Sequence, residues 1–163
     1  MKKVGLSILL LSLLAACASQ KPKEAPAAEA APAVTQKAAS VEVDPLNDPH
    51  SILAGRSVYY PFDVSVVQDA DKPLLEAHAK YLSGHPDRKV RLEGNCDERG
   101  STEYNIGLGQ RRADGVKKLL VLDGANANQL TTISFGEEKP VATCHAEKCW
   151  KENRRTDLDY NAK

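Results

Sequence analysis

Two side chains of opposite charge, Asp97 and Arg112, stand fifteen residues apart within the segment Gly94–Val116. Asp97 falls in a turn bracketed by Gly94 and Gly100, a composition that favours close approach of a ligand to the backbone. Arg112 falls on the helix that follows. It shares a face with Leu108, Val116, Leu119 and Leu120 and so interrupts an apolar stripe, whereas Arg111 shares the solvated side with Gly107, Gly115 and Lys118. An arginine in a buried stripe needs a partner, because an unpaired buried charge is costly. A carboxylate accepts from an ammonium and a guanidinium presents a planar fork to a carboxylate, so the two groups together can hold a zwitterion. The alternative is an Asp97–Arg112 ion pair that closes the domain. Periodicity alone does not separate the two.

The elements that must position these groups follow from pattern and punctuation. Ser57–Phe62 predicts a strand, with Pro61 placing its end at a sheet edge or bulge. Asp71-Lys72-Pro73 predicts an N-cap and first turn; Leu74, Leu75, His78 and Leu82 then recur at helical spacing until Gly84-His85-Pro86 stops the helix. Lys89–Glu93 alternates as a half-buried strand. Ser101 caps the next helix, Glu103 suits its first turn, and the helix runs to Leu122 before Asp123-Gly124. Leu130–Phe135 and Thr156–Tyr160 predict two more strands. The order βαβα, then two further strands with a short helix, predicts an α/β two-layer sandwich on a mixed four-stranded sheet. Asp97 then lies at the C-terminal end of a strand, where such sheets tend to place ligands.

The N-terminus predicts a compartment. Met1-Lys2-Lys3 is a basic start, and Val4–Leu14 is an apolar run too short to span a bilayer. Leu14-Ala15-Ala16-Cys17 resembles the lipobox of bacterial lipoproteins, which implies removal of residues 1–16 and acylation of Cys17. Ala18-Ser19, with no acidic residue at the second mature position, implies sorting to the outer membrane, facing the periplasm. Two or three acyl chains anchor stably where one is marginal. Residues 17–44 form the lipidated N-terminus and an Ala/Pro-rich tether, too poor in large apolar residues to offset its ordering entropy. Such a tether spans about 25–30 Å as a coil and at most about 90 Å extended. Residues 45–163 make one domain of ordinary size. Cleavage would take the 22 basic side chains to 20 against 22 acidic, a balance that gives no electrostatic footprint for nucleic acid.

Beyond Cys17 three cysteines remain. In an oxidising periplasm Cys144 and Cys149 are expected to form a disulfide, leaving Cys96 odd. A thiol-redox protein using Cys144 and Cys149 is the rival reading, but the spacing is not C-x-x-C. A zinc site from Cys144, His145 and Cys149 lacks a clear fourth ligand. His78, on the apolar face of its helix, reads as a satisfied core histidine. No nucleophile–base spacing, acid pair or metal constellation points to an enzyme, and no cofactor is implied.

The segment Gly-x-x-Asp-x-x-Gly followed by Tyr-Asn-x-x-Leu-x-x-x-Arg-Ala-x-x-Val, over 94–116, resembles the signature of the OmpA-like peptidoglycan-binding domain family. The likeness continues through Phe62-Asp63, Ser134–Pro140 and Asn153-Arg154-Arg155, and so covers nearly the whole domain. It implies binding of peptidoglycan through the meso-diaminopimelate of the stem peptide, with Asp97 meeting the ammonium and Arg112 the carboxylate. It further implies that Phe62 and Asp63 add backbone and packing contacts, that Asn105 and Leu108 shape the pocket, and that Asn153, Arg154 and Arg155 hold the last strand. With the lipobox and tether, it implies a link between outer membrane and cell wall, with TolB and other Tol proteins as partners. A lipoprotein of another envelope assembly carries the same features. Two departures stand out: Asn95-Cys96 replaces the commoner His and small residue, and Cys144 and Cys149 are outside the family pattern.

Overall fold

The computed structural model describes residues 44–161, and the expectations for the signal segment, Cys17 and the tether lie outside the described residues. The first strand, β1, covers only Ser57–Tyr59. Tyr60 still donates to the Arg154 carbonyl at 3.0 Å. Pro61 has no N–H to continue the ladder, and Asp63 follows with φ +57°, so the expected strand to Phe62 ends early in a turn. Helix α1 spans Lys72–Gly84 with Pro73 in its first turn. Asp71 precedes it but makes no capping hydrogen bond through its side chain, because it is itself held in a 3-10 turn, Asp69–Asp71.

Strand β2, Val90–Asn95, leads through the turn carrying Asp97 into helix α2, Thr102–Leu122, whose N-cap Ser101 accepts from the Tyr104 N–H at 3.2 Å. Strand β3, Leu130–Gly136, returns parallel to β2. Helix α3, Glu147–Asn153, and strand β4, Arg155–Asp159, complete the described elements. The sheet order is β1-β4-β2-β3, with β4 antiparallel to both of its neighbours. This is the mixed four-stranded sheet expected from the sequence.

The core lies between the sheet and the two long helices. Val58, Leu92 and Leu158 from the sheet meet Leu75, Leu82, Val116 and Leu120 from the helices, all at most 1% exposed. His78 is fully buried there: its Nε2 lies 2.8 Å from the Gly55 carbonyl and its Nδ1 2.9 Å from the Tyr160 hydroxyl. The carbonyl can only accept, so Nε2 carries the proton and Nδ1 accepts from Tyr160. Burial lowers the pKa of His78, keeping it neutral.

Two glycines set how closely α2 approaches β2. A Cβ on Gly94 would stand 1.9 Å from the Gly109 carbonyl oxygen, and one on Gly109 would stand 2.3 Å from the Ser134 hydroxyl. Gly94 therefore serves backbone-to-backbone packing of helix on sheet, which corrects its assignment to ligand approach. The pairing of β2 with β3 also shifts register between Gly94 and Asn95, an irregularity that re-aims the end of β2. Together these features bring the Asn95-Cys96-Asp97 backbone against the first turns of α2.

Candidate functional site

A cleft of about 140 Å³ opens where the end of β2, the start of α2 and the turn after β1 converge. Phe62, Asp63, Cys96, Asp97, Arg99, Gly100, Tyr104, Asn105, Leu108, Arg112 and Arg154 line it. All six residues singled out for ligand contact, Asp97, Arg112, Phe62, Asp63, Asn105 and Leu108, are among them.

Arg112 projects from α2 and is fully buried. Its Nε donates to the Val64 carbonyl at 2.9 Å, its Nη1 to the Asn95 carbonyl at 2.8 Å, and its Nη2 to the Pro61 carbonyl at 3.4 Å. The Tyr60 ring lies 4.6 Å from the guanidinium carbon. No carboxylate among the described residues pairs with it, so the alternative of an Asp97–Arg112 ion pair closing the domain is not what forms. The physical reason is supply of acceptors: the turn after β1 and the end of β2 present three carbonyls to the guanidinium, which engage three of its five N–H donors without cancelling its charge. Burial lowers the Arg112 pKa, yet an arginine at the bottom of such a cleft stays protonated.

Asp97 pairs elsewhere. Its Oδ1 accepts from the Arg99 N–H at 3.1 Å and Arg99 Nε at 3.2 Å; its Oδ2 accepts from Arg99 Nη2 at 2.6 Å and Arg154 Nη1 at 3.0 Å. Burial pushes its pKa up, but the hydrogen bonds from Arg99 and Arg154 outweigh that effect and hold it below the ordinary carboxylate value. Arg154 is buried, with Nε on the Tyr60 carbonyl at 2.9 Å and Nη2 on Glu147. Its burial penalty is likewise outweighed by Glu147 and Asp97, and its pKa is raised.

The closing motif thus divides. Asn153 accepts from the Val141 and Ala142 N–H groups at 2.9 and 3.0 Å, and Arg155 pairs with Asp157 along β4, as structural residues would. Arg154 instead enters the cleft. Local pattern does not distinguish Arg154 from its neighbours, since its target is a residue 57 positions earlier.

Arg99 was also missed. Its guanidinium carbon lies 4.1 Å from the centre of the Phe62 ring and 4.2 Å from that of Trp150, so it is stacked between two aromatic faces. Its nearness to Asp97 in an Asx-type turn was the available signal. Tyr104, the third residue not foreseen, donates its hydroxyl to Asp63. Asn105 ties the turn to α2 by donating to the carbonyls of Asp97 and Arg99, both at 3.2 Å, and to Glu137 at 2.6 Å. Leu108 supplies an apolar wall, and Phe62, 57% exposed, an apolar lip.

The cysteines separate by environment. Cys144 and Cys149 are joined as a disulfide at the start of α3. Beside it Trp150 Nε1 donates to Glu98 at 2.7 Å, and His145 contacts the same carboxylate. Cys96 is a buried free thiol, 3.3 Å from the Asn105 carbonyl and 3.4 Å from Arg112 Nη1. Burial raises its pKa more than Arg112 lowers it. Among the described residues no group of three or more His, Cys, Asp or Glu side chains could hold a metal ion.

Comparison with known proteins agrees with this fold. Residues 59–154 match the family model described as the OmpA family. The peptidoglycan-associated lipoprotein of Pasteurella multocida is 39% identical over 163 residues, covering 98% of this chain and 100% of that protein. Its counterpart in Haemophilus influenzae is 49% identical over 104 residues, covering 64% of this chain and 68% of its own. The crystal structure of the peptidoglycan-associated lipoprotein from Burkholderia pseudomallei superposes with a TM-score of 0.71 at 53% identity, covering 72% of this chain and 99% of that one. A form of the C-terminal domain of Helicobacter pylori MotB, at 21% identity and a TM-score of 0.60, covers 67% of this chain and 86% of its own, and shares the fold alone.

Proposed function

The chain belongs to the OmpA family and groups with its peptidoglycan-associated lipoproteins, and from that premise we propose that the cleft binds peptidoglycan non-covalently through the meso-diaminopimelate of a stem peptide. One observation carries this reading. Two buried groups of opposite charge, Asp97 and Arg112, line one cleft on separate supports without pairing with each other. The side-chain end of diaminopimelate carries an ammonium and a carboxylate on one carbon, and its complement is an acceptor and a donor fork held apart by a rigid frame. Arg112 receives the carboxylate. Asp97 receives the ammonium. Leu108 and Phe62 cover the methylene chain, the turn at Phe62-Asp63 adds backbone contacts, and Asn105 holds the Asp97 turn to α2. The cleft binds and does not catalyse.

In this reading residues 1–16 are a lipoprotein signal, 17–44 a tether lipidated at Cys17, and 45–163 the wall-binding domain. The protein then links outer membrane to cell wall from the periplasmic side, with tether length setting the effective concentration of the domain at the wall. The family relationship supports a place in the Tol–Pal system, in envelope integrity and cell division, with TolB as an exchange partner. Another envelope assembly is the alternative host for the same binding activity.

Co-sedimentation with purified sacculi tests the cleft. Asp97→Asn and Arg112→Lys each remove or misplace one desolvated charge contact, a change that typically costs about 2–5 kcal/mol, or roughly thirtyfold and more in affinity. Equal pelleting of wild type and both variants, with thermal melts showing all three folded, would overturn the assignment.

A further inference from the structure

An ionised carboxylate offers about four acceptor positions, and in Asp97 all four are taken by the chain's own donors: the Arg99 N–H, Arg99 Nε, Arg99 Nη2 and Arg154 Nη1. A ligand ammonium therefore cannot reach Asp97 as the free protein stands. One donor must leave. Arg154 is poorly suited to do so, because its side chain is 6% exposed and its other nitrogens are fixed on the Tyr60 carbonyl and Glu147. Arg99 is better suited. Its side chain is 31% exposed, and its remaining contacts are the faces of Phe62 and Trp150 and a 3.6 Å approach to Glu147. A guanidinium on a ring face is held without a directional bond, so it can slide along that face at small cost.

We infer that Arg99 is a built-in competitor for Asp97: its guanidinium occupies the place of the ligand's ammonium in the free protein, and binding moves it off the carboxylate along Trp150 towards Glu147. This rests on the assignment of Asp97 to a ligand ammonium proposed above. It makes Arg99 a residue that sets affinity and specificity. The empty cleft keeps no bare carboxylate, and a ligand gains Asp97 only if its own cation replaces the one already there. A dicarboxylate without an amine has nothing to exchange. The same displacement gives binding an optical signature, because Arg99 leans on the chain's single tryptophan.

The test is titration of the purified full chain with free meso-diaminopimelate and with pimelate, the same dicarboxylate lacking both amines. Arg99→Met keeps the apolar stem between the rings and removes the charge. It is expected to bind meso-diaminopimelate more tightly than wild type by up to roughly fivefold, the upper end for a partly exposed ion pair, and to gain nothing for pimelate. In wild type, meso-diaminopimelate is expected to change Trp150 emission at saturation and pimelate is not, a readout that needs no variant to fold. Equal or weaker binding by Arg99→Met, or saturation of wild type without any change in emission, overturns the inference and leaves the cleft assignment standing. Failure of wild type and variant alike to bind meso-diaminopimelate overturns both.

Discussion

Replacing Gly94 by alanine separates the two roles that a glycine at this position could have. The added Cβ would lie 1.9 Å from the Gly109 oxygen and 2.5 Å from its carbonyl carbon, both backbone atoms that no rotamer change can move aside. Restoring ordinary contact near 3.4 Å requires β2 and α2 to part by about 1.5 Å. That displacement would stretch the 2.8 Å bond from Arg112 Nη1 to the Asn95 carbonyl beyond hydrogen-bonding range, since the bond spans the same two elements. Overpacking of this kind costs about 1–3 kcal/mol, and a lost hydrogen bond to a charged group adds to it, so about 3 kcal/mol is expected. For a domain of this size that lowers the melting temperature by about 12 °C, at roughly 4 °C per kcal/mol. Gly107→Ala is the control. Its Cβ meets only the flexible end of Arg111 at 3.4 Å, and helix propensity then favours alanine by about 0.5–1 kcal/mol. Thermal denaturation followed by circular dichroism reads both. A Gly94→Ala melt within about 2 °C of wild type would refute the packing argument and return Gly94 to a role in ligand approach.

Asp97, whose folded pKa is depressed, contributes stability that is present above the unfolded value near 3.8 and is lost as pH falls through the lower folded value. The melting-temperature gap between wild type and Asp97→Asn should therefore be constant near neutrality and shrink below about pH 3.8; a gap that holds down to pH 2 would show that Asp97 is not ionised by its arginines. Thiol alkylation read by mass should label none of Cys96, Cys144 and Cys149 in the native protein, because Cys96 is 3% exposed with a raised pKa and Cys144 and Cys149 are bonded to each other. Reductant should expose Cys144 and Cys149, and denaturant Cys96; labelling of Cys96 before unfolding would contradict its burial.

Helical phasing made Arg112 legible, because a period of 3.6 residues forces one face inward and an arginine on that face stands out against Leu108 and Val116. Its contacts were not legible. Every residue carries a carbonyl, so nothing in the letters marks Pro61, Val64 and Asn95 as the three that converge on one guanidinium. Gly94 shows the same asymmetry: the sequence marks a place where something comes close, and only the packed structure says that it is the backbone of Gly109. Arg154 and Asp97 meet across 57 residues, and the strand pairing that brings them together depends on sheet order, which local pattern does not encode. The sheet class itself was readable because parallel β2 and β3 require a long crossover, and α2 is the only segment between them of sufficient length. The early end of β1 was signalled by Pro61, a residue whose missing N–H acts locally.

The pairing of β1 with β4 alone has a consequence for how the chain acquires its shape. The first strand has no place in the sheet until Arg155–Asp159 arrives, and β4 is also the strand that separates β1 from β2. A polypeptide delivered N-terminus first, whether from a ribosome or through a narrow translocation channel, must therefore hold its opening strand unpaired until nearly all of the domain has emerged. The topology acts as a timer. It ties closure of the sheet to the arrival of β4, and so ties completion of the cleft, with walls from Phe62 and Arg154, to the end of the domain.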